Sequence, residues 1–209
     1  MKNQLQNGFR LLPIKKVISQ SEFLDTVVAF LDKLNIHPNN LTYVTLIIGI
    51  SSGILFALSH PTWASILIVL CGGFDILDGR LAEFTNKKSL FGAILDSTID
   101  RYSEFFIYLG LAVYFRNHWT IWIIFFAFLG SVLVSYTKAR AESLGIKCEI
   151  GIMQRAERMS ILFLGAFIGS IFNIFTPFMI ASLVMIAVIS NITAFQRVYY
   201  VKKVENQYK

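Results

Sequence analysis

Six apolar blocks, each too long for the short runs of a soluble core, govern what this chain can fold into. They run approximately from Leu41 to Leu58, Thr62 to Ala82, Gly92 to Phe115, Trp119 to Tyr136, Met159 to Phe175 and Pro177 to Phe195. A bilayer has a hydrocarbon core about 30 Å thick, which a helix of roughly 20 mostly apolar residues can cross. Only 15% of the 209 residues are charged and 55% are hydrophobic, a balance that makes lipid the expected solvent. The expectation is an all-α integral membrane protein with six transmembrane helices. Residues 1–38 form a cytoplasmic amino-terminal segment, 39–197 a membrane domain and 198–209 a cytoplasmic tail.

The net charge of +6 does not point to nucleic acid, because the basic residues flank the apolar blocks instead of forming a patch interleaved with exposed aromatics. Lys2, Arg10, Lys15, Lys16 and Lys33 precede the first block, and Arg80, Lys87 and Lys88 separate the second and third. Lys138, Arg140, Lys147, Arg155 and Arg158 separate the fourth and fifth, and Arg197, Lys202, Lys203 and Lys209 follow the last. The other side carries one firm positive charge, Arg116. The positive-inside rule therefore places both termini and both long polar loops in the cytoplasm. Residues 1–20 lack an apolar run with a small-residue cleavage site, so the amino terminus is expected to be retained.

From Ser21 to Leu34, apolar Phe23, Leu24, Val27, Val28, Phe30, Leu31 and Leu34 alternate with Glu22, Asp25, Asp32 and Lys33. This spacing predicts an amphipathic helix lying in the cytoplasmic interface, or simply a packed juxtamembrane helix. Pro38 then ends it, and Asn39, Asn40 and Thr42 can cap the first span. Cys71 and Cys148 offer neither a disulfide framework nor metal-ligand spacing.

The second and third blocks carry aspartates at one end, in Asp75-Ile-Leu-Asp78-Gly79-Arg80-Leu81-Ala82 and in Gly92-Ala-Ile-Leu-Asp96-Ser-Thr-Ile-Asp100. Residues three or four apart share a helix face, so two carboxylate pairs fall near the cytoplasmic ends of consecutive antiparallel spans. Packed side by side, those spans would bring four carboxylates into one cavity. Ionised carboxylates near hydrocarbon cost roughly 2.5–3.5 kcal/mol each and repel one another. Helix capping, or pairing with Arg80, Arg101, Lys87 and Lys88, would explain one aspartate more easily than four. An all-oxygen cluster suits hard divalent cations, and two of them would balance four negative charges in an arrangement fit for phosphoryl chemistry. Gly79 and Gly92 remove side chains where a phosphate could approach the backbone.

Asp75 to Asp100 resembles the signature of the CDP-alcohol phosphotransferases: Asp-x-x-Asp-Gly-x-x-Ala-Arg, eight residues, then Gly-x-x-x-Asp-x-x-x-Asp. The resemblance implies six spanning helices, a cytoplasm-facing site and a homodimer. It also implies that Asp75, Asp78, Asp96 and Asp100 hold two divalent cations, magnesium or manganese, with Asp100 as base toward the acceptor hydroxyl. Gly79, Ala82, Ser89 and Gly92 would line the CDP-alcohol pocket, joined by Asn39 and Thr42, which resemble the family's Pro-Asn-x-x-Thr element. Glu83 stands where the family pattern has arginine. A carboxylate there would repel the donor phosphates unless Arg80 or Lys87 pairs with it or supplies the missing charge.

Downstream, Ser135-Tyr-Thr-Lys-Ala-Arg-Ala-Glu142 leads to Gly151-Ile-Met-Gln-Arg-Ala-Glu-Arg158. Read alone, these are positive-inside segments with ion pairs such as Lys138 with Glu142. Beside a metal centre, Lys138, Arg140, Arg155 and Arg158 can instead face an anionic acceptor. The run resembles the branch containing phosphatidylinositol phosphate and archaetidylinositol phosphate synthases, which implies a phosphate pocket of Lys138, Arg155 and Arg197. The expected reaction takes a phosphatidyl-type group from a CDP-lipid, CDP-diacylglycerol, to the hydroxyl of inositol phosphate and releases CMP, at the cell inner membrane. Other acceptors, glycerol phosphate or inositol, remain open, as does a catalytically weak lipid-binding protein on account of Glu83. A cation transporter fits less well, because its polar residues would run through the membrane depth.

Overall fold

The computed structural model describes residues 22–208. Lys2, Arg10, Lys15, Lys16, Ser21 and Lys209, used above, lie outside the described residues, as do the side chains of Glu22 and Phe23. The described residues form seven α-helices: α1 Glu22–Lys33, α2 Pro38–Ala57, α3 Pro61–Phe84, α4 Leu90–Tyr114, α5 Thr120–Ser143, α6 Arg155–Ile171 and α7 Phe175–Tyr208. There is no strand among them. Most connections are tight, and Asn35, Asn86 and Asn173 turn the chain just beyond α1, α3 and α6 in the left-handed region (φ 54°, 53° and 55°), which asparagine tolerates.

The start of α2 differs from expectation. Its N-cap is His37, whose Nδ1 accepts the Asn39 amide at 3.2 Å. Pro38 opens the helix instead of only ending α1. Proline needs no amide partner in the first turn, so the start moves upstream of Asn39, Asn40 and Thr42. The Thr42 side chain is thereby released for the task described below.

Two glycine seams bring helices together at backbone distance. On α2, a Cβ at Gly53 would lie 2.2 Å from the Phe106 carbonyl oxygen, and one at Gly110 on α4 would lie 2.0 Å from the Gly53 carbonyl. Gly49, one turn earlier, rests on Ser103. A second seam joins α6 to α7, where a Cβ at Gly165 would meet Ser182 Oγ at 2.1 Å. Small residues four apart allow such approach in a medium where lipid tails are as apolar as leucine. The main core, including Phe56, Ile68, Ile107, Leu111, Leu162 and Met179, fills the space between the helices. Ile47, Ile54, Leu129 and Val188 are exposed on the outer faces, and Trp63, Trp119 and Trp122 are exposed near the starts of α3 and α5. Lipid-facing apolar surfaces with interfacial tryptophans have this character.

By length and apolarity, α2, α5 and residues 175–206 of α7 can cross a membrane. The aspartates of α3 and α4 and the 17 residues of α6 set those helices apart. Helix α7 runs 34 residues, well beyond the block ending at Phe195, because no glycine or proline interrupts the sequence from there to Tyr208. Residues 198–208 thus continue the helix. Helix α1 docks one stripe, Val28 with Leu31, on Leu41 of α2 and Leu81 of α3, and leaves Phe30 and Leu34 exposed.

Candidate functional site

The last turns of α3 and the first turns of α4 carry the aspartates, but these helices do not pack broadly on each other. Both lie along α2, which acts as the common support and lets their acidic ends converge. One oxygen of each of Asp75, Asp78 and Asp96 falls within 4.8 Å of the others. Asp78 is 6% exposed, and Thr42 Oγ1 donates to its Oδ2 at 2.8 Å. Thr42 therefore orients an acidic side chain from α2, one helix away.

Asp100 is buried one turn deeper and is reached by two guanidinium groups, Arg155 Nη1 at 2.6 Å and Arg101 Nη1 at 3.7 Å. The same Arg155 nitrogen lies 3.0 Å from Asp75 Oδ1. Arg155 thus bridges the two acidic helices from α6. Hard carboxylate oxygens at these spacings fit a divalent cation, whose ligands stand about 2.0–2.6 Å from it. Asp75, Asp78 and Asp96 would be the direct donors to such an ion, with Asp100 adjoining through Arg155.

The residues expected to contact a CDP-alcohol partly come together. Ser89 Oγ accepts the Gly92 amide at 2.9 Å and caps α4. Asn39 Oδ1 would meet a Cβ on Gly92 at 3.4 Å, so the starts of α2 and α4 adjoin. Gly79, like Gly72 and Gly73, has open space where a Cβ would stand. That leaves α3 bare of side chains beside the acidic cluster, with Ala82 half-buried at its end.

Glu83 is exposed, and its partner is neither Arg80 nor Lys87. Lys88 Nζ donates to Glu83 Oε1 at 2.9 Å, and this hydrogen bond, with the lysine charge, holds the Glu83 carboxyl below the usual carboxylate range. Arg80 is taken instead by Asp25 of α1. Its position one turn from Glu83 did not decide the pairing, because α1 offers a second carboxylate on the other side.

The expected acceptor residues divide. Arg155 lies in the acidic cluster. Lys138 Nζ is 3.8 Å from Glu142 Oε1, and exposed Arg140 reaches Ser143 Oγ at 3.5 Å. Arg158 does not face the open site: it is 0% exposed, and its Nε and Nη2 donate to Glu104 Oε1 and Oε2 at 2.8 and 3.0 Å. Arg197 is likewise buried, donating from Nε to the Ile150 carbonyl at 2.9 Å and from Nη1 to the Val134 carbonyl. These two cations are drawn inward because buried carbonyls and a buried carboxylate need donors. Sequence reasoning passed over Glu104. Its signal was an ionisable residue inside an apolar block, which demands a partner. At the other end of the bundle, a cleft of about 480 Å³ between Pro61, Tyr114, Ser170 and Asn173 has no charged lining residue.

Known proteins resemble this chain in sequence and in fold. The profile described as CDP-alcohol phosphatidyltransferase matches residues 35–195. The archaetidylinositol phosphate synthase of Pyrococcus horikoshii is 38% identical over 181 residues, covering 86% of this chain and 91% of that protein. The phosphatidylinositol phosphate synthase of Streptomyces avermitilis is 30% identical, covering 86% and 78%. The crystal structure of the Mycobacterium tuberculosis phosphatidylinositol phosphate synthase with CDP-DAG bound superposes with a TM-score of 0.80 at 27% identity, covering 87% and 94%. The same enzyme in complex with manganese and citrate superposes with a TM-score of 0.79 at 26% identity, covering 85% and 88%.

Proposed function

Because the chain belongs to the CDP-alcohol phosphatidyltransferase family and is a membrane-embedded CDP-alcohol phosphotransferase, we propose that it moves the phosphatidyl group of CDP-diacylglycerol onto a hydroxyl of inositol phosphate and releases CMP. The observation that carries this reading is the meeting of an acidic triad with a guanidinium: Asp75, Asp78 and Asp96 converge while Arg155 reaches Asp75 and Asp100 from another helix. Carboxylates alone suit a cation. A cation site with an arginine at its rim suits two phosphorylated substrates, one on each.

Asp75, Asp78, Asp96 and Asp100 would hold divalent cations, two by charge balance, magnesium or manganese. When bound, such ions withdraw charge from the donor phosphates and stabilise the departing CMP. The bare backbone at Gly79, with Asn39, Thr42, Ser89 and Gly92 nearby, leaves room for the nucleotide, and Glu83 is kept from repelling it by Lys88. Asp100 accepts the proton of the attacking hydroxyl, worth roughly 10²–10⁴ in rate for a base within hydrogen-bond reach. Arg155, with Lys138 at the exposed rim, binds the acceptor phosphate through charge-assisted hydrogen bonds. The names of the relatives support inositol phosphate over glycerol phosphate or free inositol.

In the same reading, α2 to α7 form six spans and α1 lies in the cytoplasmic interface with Phe30 and Leu34 toward lipid. Both termini and the site face the cytoplasm at the inner membrane, and two chains form a homodimer. The test is CMP release by purified protein in detergent with CDP-diacylglycerol. Inositol phosphate, inositol, glycerol phosphate and serine are supplied in turn, with EDTA and then manganese added. Turnover with inositol phosphate that stops in EDTA and returns with manganese is expected. Release with another acceptor alone, or release indifferent to EDTA, would sink the proposal.

A further inference from the structure

Arg158 and Glu104 make a two-point ion pair that is almost wholly buried, 0% and 1% exposed. Neither touches the acidic triad, yet both stand in register with the Arg155–Asp100 pair, whose arginine does. Glu104 lies four residues beyond Asp100 on α4, and Arg158 three beyond Arg155 on α6, so each shares a helix face with its counterpart. Two carboxylate–guanidinium ties therefore join the same two helices one turn apart, the deeper dry and the shallower at the site.

Direct backbone packing between the two helices contributes little to this register. Helix α6 lies broadly on α3 and α7, while its backbone scarcely meets that of α4. Arg155 is the first residue of α6, where a helix frays most readily, and its long side chain has many rotamers to lose. The Gln154–Glu157 capping box fixes the first turn on itself, with the Gln154 amide donating to Glu157 Oε2 at 3.0 Å, but it does not fix the distance to α4. A bidentate pair does, because both nitrogens and both oxygens must face each other in one plane.

We propose that Glu104 and Arg158 are positioning residues, which lock α6 against α4 so that the Arg155 guanidinium is held across Asp75 and Asp100. The inference rests on the reading of the aspartates as a cation centre, since that makes the position of Arg155 matter. A cation arriving at Asp75 and Asp100 competes with the arginine resident there, and the deeper pair determines how firmly the arginine stays.

A mutant cycle on the full chain in detergent tests this, with one perturbation at Arg155 and one at the pair. The pair is replaced as a unit, Glu104→Gln with Arg158→Met, because removing one member strands a buried charge whereas removing both is often tolerated. In EDTA, Arg155→Ala is expected to lower the thermal midpoint by about 5 °C when the pair is intact and by much less when it is not. In manganese titrations followed by electron paramagnetic resonance, Arg155→Ala should tighten binding about tenfold by removing a competing cation. The pair variant should tighten it several-fold, and the combined variant no further than Arg155→Ala. Arg158→Lys keeps the charge but loses the two-point geometry; it should tighten binding about threefold and serves if the pair variant does not fold.

Additive effects on the midpoint, or parent-like manganese affinity in both a folded pair variant and Arg158→Lys, would overturn the proposal. If the parent binds no manganese while the midpoints are still coupled, the cation reading fails and the positioning role stands.

Discussion

Thr42→Val removes one hydroxyl and keeps the branched shape of the side chain. In the structure that hydroxyl donates to Asp78 Oδ2 at 2.8 Å from a residue only 4% exposed, so no bulk water stands ready to replace it. A hydrogen bond to an ionised group contributes about 1.5–3 kcal/mol. Removing a partner that orients a metal ligand typically costs about 10–100-fold in metal affinity, which is about 1.4–2.8 kcal/mol, so two independent routes agree. Manganese affinity of the folded Thr42→Val protein is therefore expected to fall by about 10–100-fold. Thr45→Val is the control. It is equally buried and one turn away, but its hydroxyl donates to the Leu41 carbonyl of its own helix at 3.1 Å, and it should leave the affinity unchanged. Parent-like manganese binding in Thr42→Val, or an equal loss in both variants, would refute the argument that α2 holds Asp78 in its liganding position.

Asp96→Asn should reduce CMP release by at least about 100-fold with the fold intact, since an amide cannot replace a charged donor; activity near that of the parent would remove Asp96 from the centre. Glu83→Arg should raise affinity for CDP-diacylglycerol about fivefold at low salt and less at high salt, because screening shortens the reach of an exposed charge. Equal affinity at both salts would show that the side chain points away from the nucleotide. Gly53→Ala gains up to about 1 kcal/mol in helix propensity but puts a Cβ 2.2 Å from a backbone oxygen of α4. Overpacking costs about 1–3 kcal/mol or more, so a lower thermal midpoint is expected, and an unchanged one would mean that the seam is looser than described.

The aspartate spacing and the apolar blocks were legible because both are local: a helix turn fixes which residues three or four apart meet, and a bilayer fixes how long a block must be. The arrangement of helices was not. Adjacent acidic spans read as a packed pair, yet Asp78 and Asp96 meet because α3 and α4 each lie on α2, where glycines at 49 and 53 permit close approach. Partner choice was equally hidden. Arg158 looked like one more cation at the rim, and only the fold of the intervening chain brings it to Glu104, 54 positions away. Lys88 won Glu83 over Arg80 because Asp25, far off in sequence, claimed the arginine.

The contact between Gly53 and Gly110 makes the site mechanically uneven. Thr42 and Asn39 on one helix and Ser89, Gly92, Asp96 and Asp100 on the other ride on two backbones in direct contact, so that wall moves as one body. The wall that carries Arg155 shares the apolar core with it but has no such backbone seam against α4, and at the level of the site ion pairs join the two. Under the proposed assignment of acceptor binding to Arg155 and of ion and nucleotide binding to α2, α3 and α4, drift in sequence along the 144–154 segment and the start of α6 would reshape what the enzyme accepts and leave the other grip unchanged. A shared chemistry with varied alcohols is the pattern such a division favours.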